Sequence, residues 1–385
     1  MQNRLIIIML TNVDSLKIHP DSLTSLRFFA VMLIVAHHLR QPFFPHLLAD
    51  ERFDNAGIIG VTFFLLLSGF ILPLNYGRCR SLKGYFRFLW NRIVRIYPVH
   101  VFTFILSIFI LILQHDQIKP SIAVINILLL QAYFPYQRIF FSFNSVSWIL
   151  STLFLFYLLF PIVNRQRTLL QLVMTLSLLC PILSIALIEK SQTKPILWLL
   201  YIFPPNRLVV CLTGVIASYF FLTIYQRHSN SLNQYTATIL EIISLILFAD
   251  FIFWGNLTVL FDKLCLLVPF KKSLHFFNIY YLTSTIPVFF ILITFGLERG
   301  FISRLLIRTP FVFLGKISFA IFMFHQLFFR FLEIFRESLF NTLGVFATIV
   351  IAVITVIPFS FLTYHYIENP VRNKLRIILP EATNT

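Results

Sequence analysis

The sequence predicts an all-α polytopic membrane protein: a bundle of about ten transmembrane helices with one short re-entrant or interfacial helix. Two observations carry this. Of 385 residues, 58% are hydrophobic and only 12% charged, where a soluble domain is about one-quarter charged. The apolar residues also recur in runs of bilayer length, about 17–25 residues, from one end of the chain to the other. The net charge of +16 then reads as cytoplasmic retention of Lys and Arg and attraction to anionic lipid; nothing in the pattern points to nucleic acid. The lipid bilayer is the first expected partner.

The elements follow in order. Residues 1–22 read as a cytoplasmic N-terminal tail; its run Leu5–Leu10 is too short for a signal-peptide core, so insertion is expected to depend on the first span, about 23–39. A polar loop with Asp50, Glu51, Arg52 and Asp54 precedes a span at about 57–75. The most basic stretch follows, with Arg78, Arg80, Lys83, Arg87, Arg92 and Arg95. The positive-inside rule puts it in the cytoplasm, and with it the N-terminus two spans earlier. The third span is about 97–114, with Pro98 expected at its start. Residues 120–134 are apolar but too short to cross, which gives the re-entrant or interfacial piece. Further spans are expected near 146–163, 168–188, 208–226, 236–254, 277–296, 311–331 and 343–364, followed by a cytoplasmic tail over 366–385. The expected organisation is therefore one membrane domain over 23–365 between two cytoplasmic tails, in the cytoplasmic (inner) membrane. Basic residues bias the loops clearly early in the chain and weakly later, where Lys263, Lys271 and Lys272 fall on the outer side. Cys79, Cys180, Cys211 and Cys265 are scattered and form neither a disulfide framework nor a metal pattern.

The first span carries the most specific chemistry. Arg27 and His38 are eleven residues apart, about three helical turns, so they share a face and lie about 16 Å apart along the axis. Ionisable groups in a membrane are costly and face a cavity or a partner; the competing reading is a snorkelling arginine and a packing histidine. His37 points about 100° away from His38. Ser68 and Gly69 fall in mid-helix, where a small pair lets backbones approach, and no Gly-x-Ser-x-Gly turn makes Ser68 a nucleophile. Arg92 and Arg95 share a helix face, either as a positive-inside anchor or as a two-pronged phosphate clamp. Ser147, Trp148, Ser151 and Tyr157 lie on one later span, Lys316, Ser318 and His325 on another, and Glu368 at the end of the last. Taken singly, these are ordinary span and boundary chemistry.

Together and in this order, the segments resemble the integral-membrane acyltransferase-three family of O-acyltransferases, which O-acetylate bacterial surface polysaccharides. The resemblance rests on Leu-Arg-x-x-Ala with a His eleven residues after the Arg (Arg27, Ala30, His38). It continues in Gly60–Phe70, in Arg92–Pro98, in the partly matched Ser-x-Trp segment with Tyr157 and Pro161, in Ile317-Ser-Phe before His325, and in Ile367-Glu-x-Pro. It covers about 22–372. It implies transfer of an acyl group, expected to be acetyl, from cytoplasmic acyl-coenzyme A to a hydroxyl of a cell-surface or exported carbohydrate. His38 would be the base, Arg27 would help to steer or polarise the donor, and Arg92 and Arg95 would hold coenzyme A. Ser68, Ser151, Tyr157, His325 and Glu368 are secondary candidates, no metal is implied, and any acyl-relay or glycan-biosynthesis partner would be a separate protein. The chain departs from the family pattern where it expects acids: Leu153 and Val210 stand in their places, and Ile149 replaces a serine. Something other than a carboxylate at 153 must then orient His38, with Ser68, Ser151, Glu51 and Asp54 as the nameable groups. Two alternatives follow: an acyltransferase-like protein whose chemistry is lost or altered, or a transporter or flippase of glycan precursors, although no second half mirrors the first.

Overall fold

Among the described residues ten helices are long and apolar enough to cross a membrane, the number the sequence predicts. The computed structural model describes residues 18–43, 51–76, 81–190, 196–228, 232–264 and 271–376. Arg78, Cys79, Arg80, Cys265, Asp50, the run Leu5–Leu10 and residues 377–385 lie outside the described residues, as do the side chains of Lys271 and Lys272.

In chain order the helices are α1 (Asp21–Phe43), α2 (Glu51–Asn75), α3 (Leu82–Leu113), α4 (Pro120–Ile127), α5 (Gln137–Phe140), α6 (Trp148–Val163), α7 (Arg167–Lys190) and α8 (Pro204–His228). They continue as α9 (Gln234–Phe253), α10 (Asn256–Leu264), α11 (Lys271–Phe277), α12 (Thr285–Gly296), α13 (Phe301–Leu306), α14 (Thr309–Ile334), α15 (Arg336–Leu343), α16 (Val345–Thr363) and α17 (Asn369–Arg376). Among the described residues there is no strand. An all-helical membrane chain satisfies its backbone within each segment, which hydrocarbon demands. Three π-helical turns, Trp198–Ile202, Asn278–Thr283 and Tyr364–Glu368, join or extend the spans.

Two boundaries differ from the sequence reading. Glu51, Arg52 and Asp54 are not in a loop; they form the first turn of α2, where two acids complement the positive end of the helix dipole. Pro98 does not begin a span. It lies inside α3, a single helix of 32 residues capped by Ser81, whose Oγ accepts from Gly84 N at 3.1 Å. The basic stretch is thus the first part of the third transmembrane helix. A membrane helix tolerates an interior proline because neighbouring groups and small adjustments take up the freed carbonyl. The short 120–134 segment matches expectation: α4 has eight residues, about 12 Å of rise, and the chain then turns through Leu129 at φ 59°.

The chain divides into two compact units. The first comprises the described residues of Met1–Ala30, Ile58–Cys79 and Phe160–Lys316. Here α7 packs on α8, α8 on α12, and α12 on α9. Without water to drive helices together, small residues and interhelical hydrogen bonds hold them. Gly69 of α2 and Gly214 of α8 meet reciprocally: a Cβ on Gly69 would lie 1.8 Å from Cys211 O, and one on Gly214 would lie 2.0 Å from Leu66 O. This is the close backbone approach that the Ser68-Gly69 pair suggests. The start of α1 is pinned in the same unit. Ser22 Oγ donates to Phe295 O at 2.8 Å, Ser25 Oγ to Leu306 O at 2.6 Å, and Ser22 N to Glu298 Oε1 at 2.9 Å.

The second unit comprises the described residues of Val31–Gly57, Arg80–Leu159 and Ile317–Thr385. In it α3 packs against the Tyr364–Glu368 turn and α17, and Trp90 Nε1 donates to Leu375 O at 2.9 Å. Residues 366–376 are therefore helical and docked on α3. The loop before α6 and its 3-10 turn hold the second half of α14 through side-chain contacts described below.

Candidate functional site

The second unit brings together three histidines from two helices. His37 and His38 end the membrane-crossing part of α1; His325 lies in α14 with no exposed surface. The rings of His38 and His325 stand 5.1 Å apart between centroids, and those of His37 and His38 4.9 Å. His325 Nε2 is 3.1 Å from His38 Nδ1. The same His38 Nδ1 lies 3.0 Å from Ile34 O, one turn back in α1. His325 Nδ1 lies 3.0 Å from Ile321 O, one turn back in α14. Phe322 and Phe329 stand beside the His325 ring, 6.2 and 5.9 Å away between centroids.

His37 has different partners. Its Nδ1 is 3.2 Å from Phe53 O and 3.3 Å from Asp54 Oδ1, both at the start of α2. The α2 backbone comes close enough that a Cβ on Gly57 would lie 2.6 Å from the His37 ring. Asp54, named from sequence as a group that could orient His38, pairs with its neighbour instead. The other named groups do not supply the orientation either: Ser68 Oγ donates to Phe64 O of its own helix at 2.8 Å, Glu51 is exposed, and Ser151 Oγ is buried with no hydrogen-bond partner. What holds His38 is a backbone carbonyl and a second imidazole.

The remaining predicted residues are placed as follows. Arg27 is half-buried on α1, in the first unit, so the shared face of Arg27 and His38 runs along one unbroken helix. Arg92 is buried on α3, its guanidinium 5.9 Å from the centre of the Phe88 ring, and Arg95 one turn on is half-buried. Glu368 is buried in the π-helical turn that α3 packs against, 3.6 Å from Arg372. Tyr157 is buried beside Phe156. Leu153, Val210 and Ile149, at the departures from the family pattern, are buried apolar side chains.

Three further charges lie inside the helices, Arg207 and Glu241 fully buried and Arg330 half-buried. Arg207 has no exposed surface; Nη1 donates to Tyr280 O at 2.9 Å, Nη2 reaches Thr62 Oγ1 at 3.5 Å, and the rings of Tyr201 and Tyr281 lie 5.0 and 5.6 Å from its guanidinium. Two π-helical turns thus contribute a carbonyl and two aromatic faces to this guanidinium. Glu241 of α9 is fully buried and accepts from Ile302 N at 3.1 Å and from Ser303 N at 3.4 Å. Arg330 of α14 donates to Phe143 O at 2.8 Å and Gln114 Oε1 at 2.7 Å. The signal was present: a lone charge inside an apolar run needs a partner. Among the described residues no three His, Cys, Asp or Glu stand close enough to hold a metal ion.

The arrangement can do proton chemistry. It offers an imidazole held at one nitrogen, on a membrane helix that also carries an arginine. The family model described as Acyltransferase domain matches residues 21–365. Among curated proteins the chain is similar to Acyltransferase MdmB of Streptomyces mycarofaciens, with 35% identity over 156 residues, covering 37% of this chain and 39% of that protein. The chain thus spans well under two-thirds of that relative's length. No solved structure matches it significantly.

Proposed function

We propose, from the premise that this chain belongs to the Acyltransferase domain family, that it is a membrane O-acyltransferase. It takes an acyl group, acetyl being the expected one, from cytoplasmic acyl-coenzyme A and moves it to a hydroxyl of a cell-surface or exported carbohydrate. The observation that carries this reading is the His38 ring, held at Nδ1 by Ile34 O and His325 within the matched region. Acyl transfer needs a base for the hydroxyl proton, a grip on the donor and stabilisation of the developing oxyanion. A neutral imidazole serves as the base. As the hydroxyl oxygen attacks the thioester carbonyl, its proton passes to His38; the C–S bond then breaks, and the proton leaves with the thiolate as coenzyme A.

Arg27, on the His38 face nearer the cytoplasm, steers the donor or polarises its carbonyl. Arg92 and Arg95 hold its phosphates from the cytoplasmic side. The positive-inside rule supports that side and cytoplasmic termini; an inner-membrane location is part of the same proposal. The buried, apolar Leu153 is what a protein with lost chemistry would show. The occupied Nδ1 of His38 speaks against that alternative, since the ring is oriented without the carboxylate.

A second assignment of the base has its own observation. His37 is the histidine that faces a carboxylate, Asp54 at 3.3 Å, the pairing that orients a general base in hydrolases. His38 is preferred because it shares the Arg27 face and lies against the buried His325.

The test uses the full chain in sealed vesicles supplied with radiolabelled acetyl-coenzyme A outside or inside, and with saponified surface polysaccharide from the source cells. Label should appear on the polysaccharide as an alkali-labile ester. Movement of glycan without acylation would support a transporter and overturn the reading; absence of both would support lost chemistry.

A further inference from the structure

We infer that His325 is the positioning residue for the His38 base, its Nε2 lone pair accepting from His38 Nδ1. The inference rests on the reading of His38 as base and names what orients it.

The three contacts admit one consistent placement of hydrogens. A carbonyl oxygen only accepts, so the ring nitrogen facing Ile321 O must carry a hydrogen, and so must the one facing Ile34 O. Both are Nδ1. A neutral imidazole has one N–H, which leaves Nε2 of each ring as a lone pair. The 3.1 Å contact between the rings is then His38 Nδ1–H donating to His325 Nε2, shared with Ile34 O. The reverse assignment would aim lone pairs at two carbonyls. His38 is thereby fixed in the tautomer whose Nε2 can take a proton. When that proton arrives and His38 becomes cationic, its bond to the neutral His325 becomes charge-assisted and stronger. An interaction that strengthens along the reaction lowers the barrier.

A packing histidine needs only its own-helix carbonyl. His325 has more. The segment before α6 grips α14 on either side of it: Asn144 Nδ2 donates to Met323 O at 2.7 Å, Ser145 Oγ donates to Gln326 Oε1, and Arg330 binds Phe143 O. Phe143 itself sits at φ 57°, a left-handed backbone that a non-glycine residue keeps only where surroundings enforce it. These contacts span two turns of α14 and stop it from rotating, so the Nε2 of His325 stays aimed at His38. The strained turn and the buried amides therefore act on the same nitrogen.

The experiment compares wild type, His325→Leu and His325→Gln in vesicles, with acetyl-coenzyme A as donor and saponified surface polysaccharide as acceptor. Leucine removes the acceptor, while the Gln carboxamide oxygen restores one. Loss of an orienting partner should lower kcat about 10- to 100-fold in His325→Leu with KM for acetyl-coenzyme A held within about twofold, and His325→Gln should recover most of the rate. A merely structural histidine would not show this split or this rescue. A second measurement does not depend on turnover: nitrogen-15 spectra of histidine-labelled protein should show His38 as the Nδ1–H tautomer in wild type and a tautomer mixture in His325→Leu. Wild-type kcat in His325→Leu, where His38→Ala is inactive, overturns the positioning role alone; so does an unchanged tautomer. Wild-type activity in His38→Ala overturns the His38 reading itself.

Discussion

His38 was visible in the sequence because helical period relates Arg27 to a base eleven residues on. Its partner was not, because His325 lies 287 residues away, and period tells which face a residue occupies, not which helix meets that face. Asp54 shows the same limit: it was named for the right neighbourhood and pairs with His37. Two predictions belong at this scale. Leu153→Glu should not raise activity, because Nδ1 of His38 already has its partners. It should lower yield and melting temperature instead, since an unpaired carboxylate at a buried position costs several kcal/mol; thermal unfolding in detergent checks it. Arg92→Lys with Arg95→Lys separates a phosphate grip from a topological anchor. A grip depends on two-pronged geometry that lysine lacks, so KM for acetyl-coenzyme A should rise about tenfold or more at normal expression; an unchanged KM supports the anchor.

Helices and their ends were the most legible features, because an apolar run of bilayer length has few other solutions. The close backbone approach expected at the Ser68-Gly69 pair is found at Gly69. Pro98 misled because its helix-starting preference is learned from water, where the freed carbonyl has solvent to turn to. Gly69→Ala should destabilise the first unit, by about 1–3 kcal/mol for a side chain forced into a filled contact. Gly214→Ala should do the same, and the double variant should cost less than the sum because the two share one contact. The start of α1 yields a pH prediction. Glu298, beyond the end of its span and at φ 53°, accepts from Ser22 N. Burial raises its pKa above the ordinary 4.5, with the Ser22 hydrogen bonds opposing. A carboxyl with a raised folded value stabilises fully below its unfolded value, and that contribution is lost as pH rises through the folded one. Glu298→Gln keeps an acceptor for Ser22 N and removes the ionisation. Its melting temperature should exceed wild type at pH 8 and converge with it near pH 4; a constant offset across pH would contradict this.

At the scale of the molecule, composition and the recurrence of apolar runs sufficed for the membrane class and the span count: among the described residues ten helices are long and apolar enough to cross a membrane. The split into two units was not legible, since α1, α2, α6 and α14 each divide between them and no linker marks the boundary. Orientation rests on early basic residues: a cysteine placed by Lys83→Cys should resist an impermeant thiol reagent applied to intact cells, and robust labelling would put the arginines of α3 on the wrong side for coenzyme A. The central claim is that this bundle transfers acyl groups with His38 as the proton acceptor. It is tested most directly by measuring acylation of surface polysaccharide in cells lacking other acyltransferases, with the chain supplied as wild type, His37→Ala or His38→Ala at matched expression. The account predicts that His38→Ala abolishes the ester while His37→Ala keeps most of it; wild-type acylation by His38→Ala would contradict it.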